Sequence, residues 1–145
     1  MQESALPAFI RRALVAILIF GLVGTEIELL LLKHTDGFWQ LVPVALVALT
    51  LLLATWAAAR PSPASLGILR AMMAVFLVVG IIGVYQHFTG NVVYEKESNP
   101  GLAGAELYSA AAMGSTPLLA PGVMLQLGLI GLLYTYRHPA LTSQS

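Results

Sequence analysis

The chain contains no cysteine. Disulfides, thiolate metal sites and cysteine nucleophiles are therefore excluded. Charge is scarce too: charged residues make up 10% of the 145 positions, and 7 basic residues balance 7 acidic ones. With zero net charge and no basic run, nucleic-acid binding has no electrostatic support. Catalytic signatures are also missing. There is no Gly-x-Ser-x-Gly, no His-Glu-x-x-His and no phosphate-cradling glycine loop. No cofactor is expected, and enzyme activity stays open as the less favoured reading.

What fills the chain is apolar surface, at 58% of residues. Ordinary soluble domains have about 45–50% apolar and about 25% charged residues. So short a chain cannot hide the excess in one aqueous core, and the lipid bilayer is its natural solvent. The expected fold is all-α: a four-transmembrane-helix bundle in one membrane domain. Spans of roughly 20 apolar residues are expected at about 13–32, 38–59, 66–87 and 117–136. Arg11 and Arg12 precede the first span, as in a signal peptide. The apolar run is too long for one, however, and no small-x-small cleavage pattern follows.

Local signals punctuate these spans. Lys33-His34-Thr35-Asp36-Gly37 reads as a short turn. Pro43 is expected in the first turn of span two, where a missing N–H costs little. Trp39 and Trp56 mark the ends of that span, as an aromatic belt would. Arg60-Pro61-Ser62-Pro63 stops it. Arg70, near the start of span three, is expected to snorkel toward head groups. Ser115 or Thr116 is expected to cap span four. The segment 88–116 is expected to be an outer loop, with a turn at Thr89-Gly90-Asn91 and an extended run at Val92-Val93-Tyr94. Asn99-Pro100 would then open a short helix over Leu102 to Met113, ended by Gly114.

Basic residues set the direction. With the N-terminus inside, Arg11, Arg12, Arg60, Arg70 and Arg137 are cytoplasmic and only Lys33 and Lys96 lie outside. The expected home is a bacterial inner membrane, with both termini cytoplasmic.

The chain also repeats its own spacing. Arg11, Gly21, Gly24 and Glu28 recur as Arg70, Gly80, Gly83 and His87, offset by 59 residues. Leu41, Pro43, Leu49, Leu51 and Pro61 recur as Leu119, Pro121, Leu127, Leu129 and Pro139, offset by 78. Two tandem, similarly oriented hairpins would produce this pattern, related by a pseudo-two-fold axis along the membrane normal.

Polar residues within the spans are the candidate functional groups. Glu28 shares a helix face with Gly21, Gly24 and Thr25, and small residues favour close helix contact in membranes. That face should point into the bundle, and His87 should do the same beside Gly80 and Gly83. The repeat brings Glu28 and His87 to equivalent positions at the outer end. Four readings stand for the pair: a hydrogen bond that fixes register, a proton- or substrate-handling couple, half of a metal site completed by His34, Glu95 or Glu97, or no contact at all, with each residue wetted at the interface. Glu26 lies about 200° round the helix from Glu28, so the two form no carboxylate dyad; Glu26 is expected to reach Lys33 or head-group water. Gln126, midway along span four, is expected to make an interhelical hydrogen bond. His34 and His87 are both expected at the outer edge and His138 at the opposite side, which argues against a buried bis-histidine haem.

The stretch Leu32-Lys33-His34-Thr35-Asp36-Gly37-Phe38-Trp39-Gln40-Leu41-Val42-Pro43 resembles the first hairpin turn of small multidrug resistance exporters. Those are also four-helix proteins, with a proton- and drug-binding glutamate in the first helix. The resemblance covers about a dozen residues. The family glutamate would align near Thr25, one residue from Glu26, and the family's aromatic-rich third helix is absent. No function is carried over from it.

The expected function is a non-catalytic accessory or interaction subunit, alone with lipid or within a homo-oligomer or larger complex. The alternatives are an oligomeric proton-coupled transporter using Glu28 and His87, and an outer-face metal-binding protein.

Overall fold

The computed structural model describes residues 5–142, and these are helical without strands. Three helices are long and apolar enough to cross a membrane: α1 (Ala5–Leu31), α2 (Phe38–Ala59) and α3 (Pro63–Ser98). A short α4 (Gly104–Ala112), an apolar α5 (Gly122–Thr135) and a final turn, α6 (Pro139–Thr142), follow. The protein is thus an integral membrane helical bundle by the length and composition of its helices.

Helix α1 packs on α2 and α5, and α3 packs on the same two. The four form a ring in the order α1, α2, α3, α5, with α1 and α3 on one diagonal. Leu18, Leu22, Val47, Leu66, Leu69, Met73, Phe76 and Leu127 meet along its axis. One end of the bundle carries the chain termini and the α2–α3 connection; we call it the terminal end. The other carries the α1–α2 turn and α4; we call it the cap end.

Local chemistry sets most boundaries. Arg60 ends α2, its N–H bonding Trp56 O at 2.8 Å. Ser62 then caps α3 through a reciprocal box: its Oγ accepts from Ser65 N at 3.1 Å while Ser65 Oγ accepts from Ser62 N at 3.0 Å. At the other end of the first hairpin, Lys33 takes φ 51°. His34 N bonds Leu29 O at 2.9 Å, and Lys33 N bonds Leu30 O at 3.1 Å. These two bonds and the left-handed residue make a Schellman stop to α1.

Several sequence expectations need correction. Pro43 is the sixth residue of α2 rather than part of its first turn, so it removes a hydrogen bond from the helix interior. Arg70 does not extend away from the protein. Its Nη2 donates to Thr135 O at 2.7 Å and its Nε to Thr135 Oγ1 at 3.4 Å.

The largest difference is in 88–116. Helix α3 does not end at His87 but runs 36 residues, to Ser98, about 54 Å. Thr89-Gly90-Asn91 and Val92-Val93-Tyr94 are helical. Asn99 closes α3 instead of opening the next helix, and α4 starts at Gly104. Asn91 explains the extension. It is buried, and its Nδ2 donates to Ala111 O at 3.0 Å and Thr116 O at 2.8 Å. Its Oδ1 accepts from Thr116 N at 3.1 Å. This clamp, together with Phe88 stacked on Tyr108, folds α4 back along α3 and outweighs the local turn preference of Thr-Gly-Asn.

The helix in the region expected as span four is shorter than expected. Helix α5 has 14 residues, about 21 Å. The residues before it form tight turns: Ala120 N bonds Pro117 O at 3.2 Å, and Gly122 N bonds Leu119 O at 2.8 Å.

Candidate functional site at the cap end

A cavity of about 270 Å³ opens among α1, α2, α3 and the start of α5 at the cap end. Its walls are mainly apolar: Leu29, Leu32, Trp39, Val42, Pro43, Val79, Ile82, Val123 and Met124. Among them stand Thr25, Glu28, His34, Gln86 and His87. The expected partners Glu28 and His87 therefore share one space. Among the described residues, no hydrogen bond or ion pair joins them.

Each polar side chain is held by a different device. His34 arrives through the Schellman stop of α1, which turns the chain back across the helix end. His87 accompanies Gly83 on α3, and its Nδ1 lies 2.9 Å from Pro117 O. A carbonyl oxygen can only accept, so Nδ1 carries the hydrogen. Glu28 occupies the exposed rim of α1. Burial pushes the His34 pKa below its ordinary value, and the neighbouring His87 pushes it the same way.

The glycines of the matched helices differ in what they meet. A Cβ on Gly21 would lie 2.5 Å from Leu127 Cδ2, and one on Gly83 would lie 2.7 Å from Pro121 Cβ. Both glycines thus accept a neighbouring helix closely. Gly24, the spacing counterpart of Gly83, meets nothing within 4 Å. The expected inward face of α1 is therefore split. Gly21 and Thr25 pack inward, while Gly24 and Glu28 are exposed.

No protein-family model matches the chain, and no curated protein or solved structure matches it.

The other candidates lie apart from the cavity. Glu26 does not line it; one carboxylate oxygen is buried without a hydrogen-bond partner, and no ion pair to Lys33 forms. Gln126 is exposed on α5 and makes no interhelical hydrogen bond among the described residues. Glu95 and Glu97 sit beyond the cavity on the α3 extension, more than two turns from His87. Among the described residues, no group of three His, Asp or Glu side chains could hold a metal ion. Sequence reasoning missed Asn91 and the capping role of Arg70. A polar residue before a charged run was the available signal for the first. The terminal carbonyls of span four, in need of donors, were the signal for the second.

Proposed function

We propose that the chain is a non-catalytic membrane protein, an accessory or interaction subunit, whose cap-end cavity holds a small amphipathic ligand. The observation that carries this reading is the cavity: a concave, mostly apolar space with a few convergent polar groups is the usual form of a small-ligand site. Its volume suits a short chain or single ring. The Glu28 carboxylate, beside a neutral His34 and the Trp39 indole, favours a cationic or hydrogen-bond-donating head group.

In this reading α5 and the turns preceding it form a fourth span, and both termini are cytoplasmic. The clustering of Arg11, Arg60, Arg70 and Arg137 at the terminal end supports that orientation. The paired spacings and the ring order of the helices support two tandem hairpins. A second reading, proton exchange within an oligomeric transporter, draws on the shared cavity of Glu28, His34 and His87.

Trp39 lines the cavity and Trp56 is near the opposite end of α2, which supplies a reporter. In a Trp56→Phe background in lipid nanodiscs, octylamine should change Trp39 emission saturably, and octanoate should do so less. Glu28→Gln should weaken amine binding roughly fivefold, as for an ion pair worth about 1 kcal/mol, and Ala120→Phe should abolish it by filling the space. A non-saturating response, or an equal one from Trp56 in a Trp39→Phe background, would sink the ligand reading.

A further inference from the structure

Gln126 is exposed in the second turn of the largely apolar helix α5, one residue from Leu127, which packs at the level of Gly21 on α1. Hydrocarbon offers a carboxamide neither donor nor acceptor, so a lipid-facing glutamine needs a protein partner. Its position on the bundle identifies which surface is involved. Helix α5 meets α1 where Leu127 lies against Gly21. On α5, Gln126 is about 100° round from Leu127, on the side away from Gly128 and Gly131, which face α3 and the core. On α1, Gly24 is about 60° round from Gly21, on the side away from the buried Leu18 and Leu22. Both therefore border the outward seam between α1 and α5. Because the helices are antiparallel, they differ in depth by only about 3 Å. Gly24 has open space around its Cβ position, and the flanking Phe20 is 81% exposed.

We infer that this seam is a homodimer interface, with Gln126 meeting Gln126 of a second copy across a two-fold axis along the membrane normal. A carboxamide has both donors and an acceptor, so it complements itself. A two-fold axis brings the same residue of each copy to the same depth. Gly24 leaves a notch beside it that lets the second copy approach closely. The inference rests on the reading of α5 as a membrane span.

The absence of cysteine makes the test clean. Gln126→Cys in the full chain, oxidised with copper-phenanthroline in native membranes, should give a species of twice the monomer mass. Ile81→Cys and Leu52→Cys, exposed on α3 and α2, should not. Before oxidation, the Gln126→Cys thiol should resist a membrane-impermeant maleimide. A protected thiol that does not cross-link overturns the dimer while leaving the fourth span standing. Ready labelling by the maleimide overturns both. A cross-linked product of any other mass, or equal cross-linking at all three sites, overturns the second copy as occupant. In nanodiscs, Gln126→Leu should raise the dimer dissociation constant roughly three- to tenfold; an unchanged constant would remove Gln126 from the interface.

Discussion

The two hairpins of the bundle share their spacing and differ in how tightly they close. In the second, between α3 and α5, glycine after glycine is spent on contact. A Cβ on Gly80 would lie 2.9 Å from Leu125 Cγ, one on Gly83 2.7 Å from Pro121 Cβ, and one on Gly128 3.0 Å from the Met73 carbonyl oxygen. Gly131 is closed over by Met73 in the same way. In the first hairpin, no described glycine joins α1 to α2 in this way; Gly21 packs instead on Leu127 of α5. Gly24 faces open space, and Pro43 lines the cavity where its counterpart Pro121 packs against Gly83. The lesson concerns how a site arises. A shared spacing does not carry shared packing, and the pocket forms between the two hairpins, lined by Glu28, His34 and Pro43 from one and by Gly83, His87 and Pro121 from the other. The polar residues Glu28 and His34 belong to that looser hairpin, and His87 reaches the pocket from the tighter one.

Substituting the matched glycines should separate the hairpins most sharply. Gly83→Ala should destabilise the detergent-solubilised protein by about 1–3 kcal/mol, because its methyl group meets a rigid proline ring. Gly128→Ala should act similarly, since one of its obstacles is backbone. Gly24→Ala should be neutral, or stabilising by up to about 1 kcal/mol through helix propensity. Thermal unfolding followed by circular dichroism reads all three. Equal losses at positions 24 and 83 would mean that both hairpins are equally tight and the comparison is wrong.

A smaller and more local effect is expected at the cap. Asn91→Ala would leave Ala111 O, Thr116 O and Thr116 N without their side-chain partner. Ala111 is buried, so its unsatisfied carbonyl costs about 1–3 kcal/mol, whereas Thr116 is exposed and water replaces its lost partner. Hydrogen exchange should accelerate in α4 and the α4–α5 connection while α1 and α2 stay protected. Uniform acceleration would show that the cap is not a separable unit.

The framework of this arrangement could be read from sequence. Apolar run length matches the bounds of α2 and the cap end of α1, and Glu28 and His87, grouped by their spacing, line one cavity. The remainder depends on tertiary contact. Thr89-Gly90-Asn91 favours a turn locally, and only the Asn91 clamp with residues distant in sequence keeps it helical. His34 looks like any turn residue until the left-handed Lys33 directs it over the helix end. The exposure of Gln126 depends on the rotation of α5, and a helix apolar on every side carries little sign of which face is buried. The same limit hid the outward placement of Gly24, whose spacing matches a glycine that does pack.

The smallest expected effect tests the electrostatics of the looser hairpin. Burial and His87 together hold the His34 pKa below 6.5. The folded protein thus takes up this proton less readily than the unfolded chain does. As pH falls below about 6.5, protonation favours the unfolded state, and the penalty is complete once pH drops under the folded-state value. Stability should therefore rise with pH across this window, and His34→Gln should flatten the rise. The partial exposure of His34 keeps the effect small. His87→Gln should reduce it too, by removing the neighbouring charge while leaving the desolvation of His34 in place. The two variants thus divide the causes. If His87→Gln left the pH slope unchanged while His34→Gln removed it, burial alone would account for the shift, and the two hairpins would not be electrostatically coupled across the cavity.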